Sequence, residues 1–288
     1  MRFCYDRGPL PYTDLATERR RANTEICGVE YTKQDFAEGT LERVRITTEA
    51  GAKSIGRPMG IYETVSFTRA DLIDTEGIEW ASRMVSDILR RLTGGDMPKS
   101  VLAAGIGNRA LTADSLGCLV CERVKPTRHL KLYDERLFSS LGCSEISVIT
   151  PGVTAKTGLD CVDTVKAVCE SLKPELVIAV DAIATSSYER LGSTVQITDT
   201  GICPGSGLFN VERALNGDTL GTRVFSLGVP TIIDARVLYL DGLGDRDIPN
   251  IESIPSHSMF VSPKEIDEIV NVSSQIIANG INMAFGIY

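Results

Sequence analysis

Short apolar runs that end in a glycine-rich turn and lead into a helix recur along this chain, and that repetition restricts the fold more than any other feature. "SVLAAGIGN" precedes the helix start "LTADSLG", "EISVITPG" precedes "LDCVDTVKAVCESLKP", and "ELVIAVDA" is a third run. "RVFSLGVPTIIDA" supplies one or two more. Runs so uniformly apolar are too hydrophobic for strands with one solvated face. Alternating with helices, they specify an α/β fold with a mainly parallel central sheet flanked by helices.

The intervening segments carry helical periodicity. Ile78, Ala81, Met84, Val85, Ile88 and Leu92 recur at helix spacing from Glu76 to Leu92, with Gly94 as a C-terminal stop. Cys161, Val165, Val168, Cys169 and Leu172 form a buried stripe that Pro174 ends. The last helix begins at "SPKEIDEIV", with Ser262 as cap, Pro263 in the first turn, Glu265 completing a capping box and Gly280 as terminator. Residues 41–68 alternate apolar and polar around a Gly/Lys/Pro turn, an antiparallel β addition near the N-terminus. No linker or internal repeat divides the chain.

Composition excludes some partners. With 43% hydrophobic and 24% charged residues over 288, the chain buries an ordinary core without metal or disulfide. A formal net charge of −8 disfavours nucleic acid or an anionic membrane as partner. The N-terminus lacks a basic segment followed by an apolar run, and no stretch reaches membrane-spanning length, so a cytoplasmic location is expected. Eight cysteines without framework spacing read as buried thiols. Cys118 and Cys121 form the one C-x-x-C, but a zinc site wants further ligands, and the histidines are His129 and His257 alone. Two small apolar residues on one helix face is the simpler reading, and no metal or cofactor is expected.

In an open α/β sheet, ligands sit beyond the carboxyl ends of the strands. Two aspartates fall at such positions: Asp114, in the first turn after the "AAGIGN" strand end with Thr112 able to cap, and Asp181, after "LVIAV". Each alone is explained by a helix N-terminus. Together they make a carboxylate pair able to run hydrolysis, one deprotonating water and the other protonating the leaving group. "GIGN" lacks a full dinucleotide fingerprint, and there is no P-loop lysine and no G-x-S-x-G. Asp199-Thr200-Gly201 matches the pepsin triplet, but that site needs two copies on β-rich lobes, and this α/β chain has one.

Several long segments, from about Tyr12 almost to the C-terminus, resemble the germination proteases of spore-forming bacteria: "YTDLATE", "GRPMGIYETV", "GIGNRALTADSLG", "VITPGVTAKTGLD", "VIAVDAIA", "QITDTGICPGSGLFN", "LGVPTIIDA" and "FVSPKEID". The resemblance implies a fold related to hydrogenase maturation proteases, a homotetramer in the spore core, and an endopeptidase acting on small acid-soluble spore proteins. The family's two essential aspartates, in its T-P-D-A-L-G and I-D-A-L-A segments, correspond to Asp114 and Asp181. Gly105, Gly107 and Asn108, with Asp199, Gly201, Gly205 and Gly207, then line the cleft and offer backbone N–H groups to an oxyanion. Arg109 and Arg190, near these loops, are candidates to meet a substrate carboxylate.

The family is made as self-cutting zymogens that prefer an acidic residue before the cut, then a hydrophobic residue and alanine. Asp14, Leu15 and Ala16 fit that pattern, which implies a pro-segment of residues 1–14, an Asp14–Leu15 scissile bond and a peptidase domain of residues 15–288. The chain departs from the family in a short pro-segment, in Ala113 for the usual proline, in lacking the arginine after the second aspartate, and in Cys203 for the usual histidine. Rival readings are a metal-dependent maturation-type peptidase on the same fold and a non-catalytic α/β binding protein.

Overall fold

The computed structural model describes residues 12–20, 26–204, 214–238 and 259–287. Among them a nine-stranded sheet runs in the order β1-β2-β3-β7-β8-β6-β4-β5, with β9 paired to β8. The strands are β1 (Val29–Asp35), β2 (Gly39–Ile46), β3 (Gly60–Phe67), β4 (Ser100–Gly105), β5 (Glu145–Ile149), β6 (Leu176–Thr185), β7 (Thr194–Thr198), β8 (Arg223–Asp234) and β9 (Phe260–Val261). The predicted apolar runs are β4, β5, β6 and β8, and these four are mutually parallel. The antiparallel addition comprises β1, β2 and β3, and β7 joins it to β8 by pairing antiparallel with both neighbours.

The parallel strands are buried on both faces, as their composition requires. Val101 and Ala103 of β4, with Leu176, Ile178 and Val180 of β6, pack in one core. It is covered by α3 (Thr75–Leu92), α4 (Leu116–Arg123) and the C-terminal helix α10 (Ile266–Ala284). The alternate residues Leu102, Ala104, Val177 and Ala179 pack in a second core under α8 (Cys161–Leu172). Side chains two apart share a face, so each strand feeds both cores.

Local rules explain much of this. Asp74 caps α3 by accepting from the Gly77 N–H at 2.8 Å, and Gly94 beyond its end sits at φ +81°. The turn expected between β2 and β3 contains a short helix, α2 (Glu49–Ile55), capped by Thr48 and closed by left-handed Gly56. Three expectations fail. Gly280 does not end α10, which continues to Ala284; a Cβ there would lie 2.5 Å from Val85 Cγ1 and 3.0 Å from the Ser82 carbonyl, so glycine permits close approach to α3. Ser262 does not cap α10, which begins four residues later without a side-chain cap, so Pro263 lies ahead of the helix and Glu265 stands at the N-cap position with no capping box. Thr112 does not cap α4 either: its carbonyl accepts from Ser115, and the turn is a short 3₁₀ segment, Thr112–Asp114.

Cys118 and Cys121 are buried on α4, their thiols pointing at the backbone carbonyls of Gly107 and of Ala103 and Ile149. Against the expectation of buried thiols, Cys27, ahead of edge strand β1, is exposed and Cys143, Cys161 and Cys203 are half-buried, while Cys4 lies outside the described residues. No helix among the described residues is long and apolar enough to cross a membrane.

Candidate active site

Strands β4 and β6 are neighbours, and β4 ends at Gly105, opposite Val180. Asp181 is therefore the first residue of β6 beyond the carboxyl end of β4. It does not stand at its own strand end, since β6 runs on to Thr185 paired with β8. Following Val177 and Ala179 in the strand's alternation, it faces the α8 side, near Cys161, whose thiol is pushed up first by burial, then by Asp160 and last by Asp181. The side chain is buried, and its Oδ1 accepts from the Ala182 N–H at 2.8 Å.

Asp114 lies in the 3₁₀ turn after β4. Its Oδ2 accepts from the Asn108 N–H at 2.8 Å, and its carbonyl accepts from the same group at 3.0 Å. The turn lies against Gly107, which has φ +112° and on which a Cβ would stand 2.1 Å from the Asp114 carbonyl. Gly105 is equally constrained, its missing Cβ position lying 2.1 Å from the Gly117 carbonyl at the start of α4. Thus "GIGN" is a turn that fixes Asp114, and the Asn108 N–H is committed to that carboxylate rather than open to an oxyanion.

Burial raises the carboxyl of Asp114 above its ordinary range, opposed by the Asn108 hydrogen bond. Asp181 is raised well above that range, first by burial and then by the negative charge of Asp114, with a smaller contribution from Asp14. The two aspartates are electrostatically coupled, and one of them holds a proton far more tightly than a solvated carboxylate.

Asp199 is placed differently. It follows β7 at the surface, and its Oδ1 accepts from the Ile61 N–H at 2.8 Å, anchoring the start of β3. Gly201 adopts φ +80°, and a Cβ there would meet the Leu215 carbonyl at 2.0 Å, so glycine is required on both counts. Gly205 and Gly207 lie outside the described residues.

A segment of the chain's own N-terminal region fills the neighbourhood of Asp181. The Asp14 N–H donates to the Ala184 carbonyl and the Ala184 N–H donates to Asp14 Oδ2, both at 2.9 Å. The Asp14 carbonyl accepts from Gln196 Nε2 at 3.2 Å, and the Ala16 N–H donates to Gln196 Oε1 at 2.8 Å. One carboxamide therefore spans Leu15, holding the carbonyl of the Asp14–Leu15 peptide and the N–H of the next one. Leu15 and Ala16 are fully buried.

The sequence from residue 12 to residue 244 matches the family model described as germination protease. The chain belongs to the germination protease family. It is thereby a peptidase, a hydrolase of peptide bonds. Germination proteases of Clostridium perfringens and Caldanaerobacter subterraneus are each 32% identical to it, over 94% of this chain and 94% and 93% of theirs. That of Bacillus cytotoxicus is 30% identical over 94% of this chain and 92% of its own. Among solved structures, a NiFe-hydrogenase maturation protease from Thermococcus kodakarensis KOD1 is similar at 19% identity. That likeness covers 68% of this chain and 99% of the other at a TM-score of 0.37, too slight to carry an argument.

Within this germination protease, the cations near Asp14 differ from those suggested by proximity in sequence. Arg109 pairs with Glu122 on α4, and Arg190 pairs with Glu42 and approaches Glu18. Arg57 instead reaches Asp14, at 3.2 Å from its Oδ1. Arg57, Ala184 and Gln196 are the candidate-site residues that sequence reading missed; they stand in the family-like segments "GRPMGIYETV", "VIAVDAIA" and "QITDTGICPGSGLFN", but no local pattern marks them. Cys203 lies within electrostatic reach of both Arg57 and Asp14, and burial pushes its thiol up. Among the described residues, no three His, Cys, Asp or Glu side chains converge as a metal-holding group.

Proposed function

We propose that this chain is a self-processing endopeptidase that cuts its own Asp14–Leu15 bond, releasing residues 1–14, and then cuts small acid-soluble spore proteins after acidic residues during germination. The carrying observation is the seating of Asp14: its peptide is paired to β6 three residues from Asp181, and its charge is felt by that carboxyl. A homotetramer in the spore core, the assembly and place the family resemblance implies, completes the reading, with the peptidase domain beginning at Leu15.

In this reading Asp114 is the base and Asp181 the acid. Asp114, partly exposed and stabilised by the Asn108 N–H, is the easier of the two to ionise; Asp181, fully desolvated beside it, keeps the proton. Asp114 takes a proton from water, whose oxygen bonds to the Asp14 carbonyl carbon. Gln196 Nε2 donates to the developing oxyanion. The C–N bond breaks as Asp181 gives its proton to the Leu15 nitrogen, leaving a new α-carboxylic acid on Asp14 that loses its proton to solvent, and the proton held by Asp114 passes to Asp181 to restore the pair.

The test is intact-mass analysis of full-length protein with time, beside Asp114→Asn, Asp181→Asn and Asp199→Asn. Loss of residues 1–14 in the wild type and in Asp199→Asn, but in neither of the other two, is expected. Processing by Asp181→Asn at the wild-type rate, or its loss only in Asp199→Asn, sinks the assignment.

A further inference from the structure

The Asp14 carboxylate is held in a built, nearly closed pocket. Its Oδ1 accepts from Arg57 Nη2 at 3.2 Å and from the Tyr12 hydroxyl at 2.6 Å, and its Oδ2 accepts from the Ala184 N–H at 2.9 Å. The Arg57 and Asp14 side chains are 11% and 8% exposed, so the pair lies away from water, where a charge needs a partner. Arg57 Nη2 also donates to the Thr13 carbonyl at 2.7 Å, gripping the backbone one residue before Asp14. The arginine follows left-handed Gly56, and its own N–H returns to the Ala52 carbonyl at 3.2 Å, so α2 fixes its position.

Of these contacts, those from Arg57 and Ala184 come from the folded domain, whereas Tyr12 belongs to the segment bearing the carboxylate. We infer that Arg57 and the Ala184 N–H form the specificity subsite for the acidic residue before the cut, filled in cis by Asp14 and in trans by a substrate Asp or Glu once residues 1–14 leave. The inference rests on the self-processing reading above and adds the residues that select the substrate. A neutral amide in the same place would offer the largely desolvated guanidinium no opposite charge at this position, which is how a buried cation disfavours an uncharged isostere. One pocket then serves both reactions: the segment that matures the enzyme is a substrate already docked, and it blocks other acidic peptides until it is cut.

The experiment begins from full-length protein and uses two paired comparisons. First, removal of residues 1–14 is timed for Asp14 and Asp14→Asn chains, each with Arg57 or Arg57→Gln. Second, the matured proteins are given two synthetic peptides identical except for Glu or Gln before the cut. With Arg57 present, the acidic form should react about 10²-fold faster in both comparisons, as truncation of one member of a buried charge pair implies. With Arg57→Gln the preference should fall below about 3-fold, within the range of a neutral contact. The peptide preference is a ratio within one protein, so partial folding cancels there, and it decides where the two comparisons differ.

If Arg57→Gln cuts nothing, Arg57→Lys decides. Lysine keeps the charge and loses the guanidinium fork, so turnover of the Glu peptide should drop about 10-fold while that of the Gln peptide is unchanged. Full acid preference in Arg57→Gln, or a Lys variant equal to wild type on both peptides, overturns the subsite. The catalytic reading fails separately, through processing by Asp181→Asn, and that result leaves the peptide preference as a measure of Arg57 alone.

Discussion

The side-chain amide of Gln196 donates to the carbonyl of Asp14 at 3.2 Å, while its oxygen accepts from the Ala16 N–H at 2.8 Å. A carboxamide fixed at both ends, to the peptide groups on either side of Leu15, polarises the Asp14 carbonyl and keeps the Asp14–Leu15 bond from turning away. Replacing Gln196 with alanine should slow loss of residues 1–14 by about 10²-fold or more, the scale seen when an oxyanion donor is removed. Gln196→Glu keeps the acceptor for Ala16 and loses the donor, so it should be as slow. Rapid processing by Gln196→Glu in an intact-mass time course would assign Gln196 to holding the segment only.

Gly107 and Asp114 are bound by the same economy of space. A Cβ on Gly107 would stand 2.1 Å from the Asp114 carbonyl, and φ +112° is a conformation that L side chains rarely adopt. Gly107→Ala should therefore displace the 3₁₀ turn and cost stability by about 1–3 kcal/mol. It should also slow cleavage by about 10²-fold, since a displacement near 1 Å of a reacting group has that effect. Thermal unfolding together with the processing rate checks both; a variant that is destabilised but fully active would show that Asp114 tolerates movement and weaken its role as base.

How much of this was legible in the sequence follows from which contacts are local. Asp74 and Gly94 bound α3 because capping is decided within a few residues, and β4 and β6 announce themselves through continuous apolar runs. The Asp114–Asp181 neighbourhood followed only in part from the rule that sites gather at strand ends: Asp114 follows the end of β4, whereas Asp181 lies inside β6 beside that end. Strand β1, "VEYTKQD", was missed because an edge strand is mostly exposed and shows no apolar alternation. Arg57 and Asp14 are 43 positions apart, and Gln196 and Asp14 are 182 apart. Pairs so distant are set by sheet order, above all by β7 lying between β3 and β8, which no nearby residue encodes. Arg109 and Arg190 were plausible by proximity in sequence, but each already has an acidic partner.

Gly280 is a further case in which a local rule misleads and tertiary packing decides. In an exposed helix, glycine to alanine would gain about 1 kcal/mol from propensity. Here the added Cβ would lie 2.5 Å from Val85 Cγ1, a stiff β-branched side chain, and 3.0 Å from the Ser82 carbonyl. Gly280→Ala should instead push α10 from α3 and destabilise the fold by about 1–3 kcal/mol. Denaturant unfolding measures it, and a gain in stability would mean that the two helices separate at little cost.

The pH dependence of stability should carry the signature of Asp181. Burial and the charge of Asp114 hold its carboxyl well above the ordinary carboxylate range, so the folded state binds this proton more tightly than the unfolded chain. The sign follows from linkage: the contribution is complete below about pH 4, the unfolded value, and is lost as pH rises through the raised folded value. Asp181→Asn cannot ionise, so near neutral pH it should melt higher than wild type, by about 2–4 °C for each kcal/mol relieved in a chain of this size. At pH 4 the two should melt alike. Asp114→Asn removes the neighbouring charge and should shift the wild-type decline to lower pH, because one cause of the elevation is gone. Both variants should be inactive, so stability and activity part at the proposed catalytic pair. Melting temperatures measured from pH 4 to pH 8 decide it, in about half-unit steps: parallel curves for wild type and Asp181→Asn would mean that this carboxyl titrates as it does in the unfolded chain, and would remove it as the proton donor to Leu15.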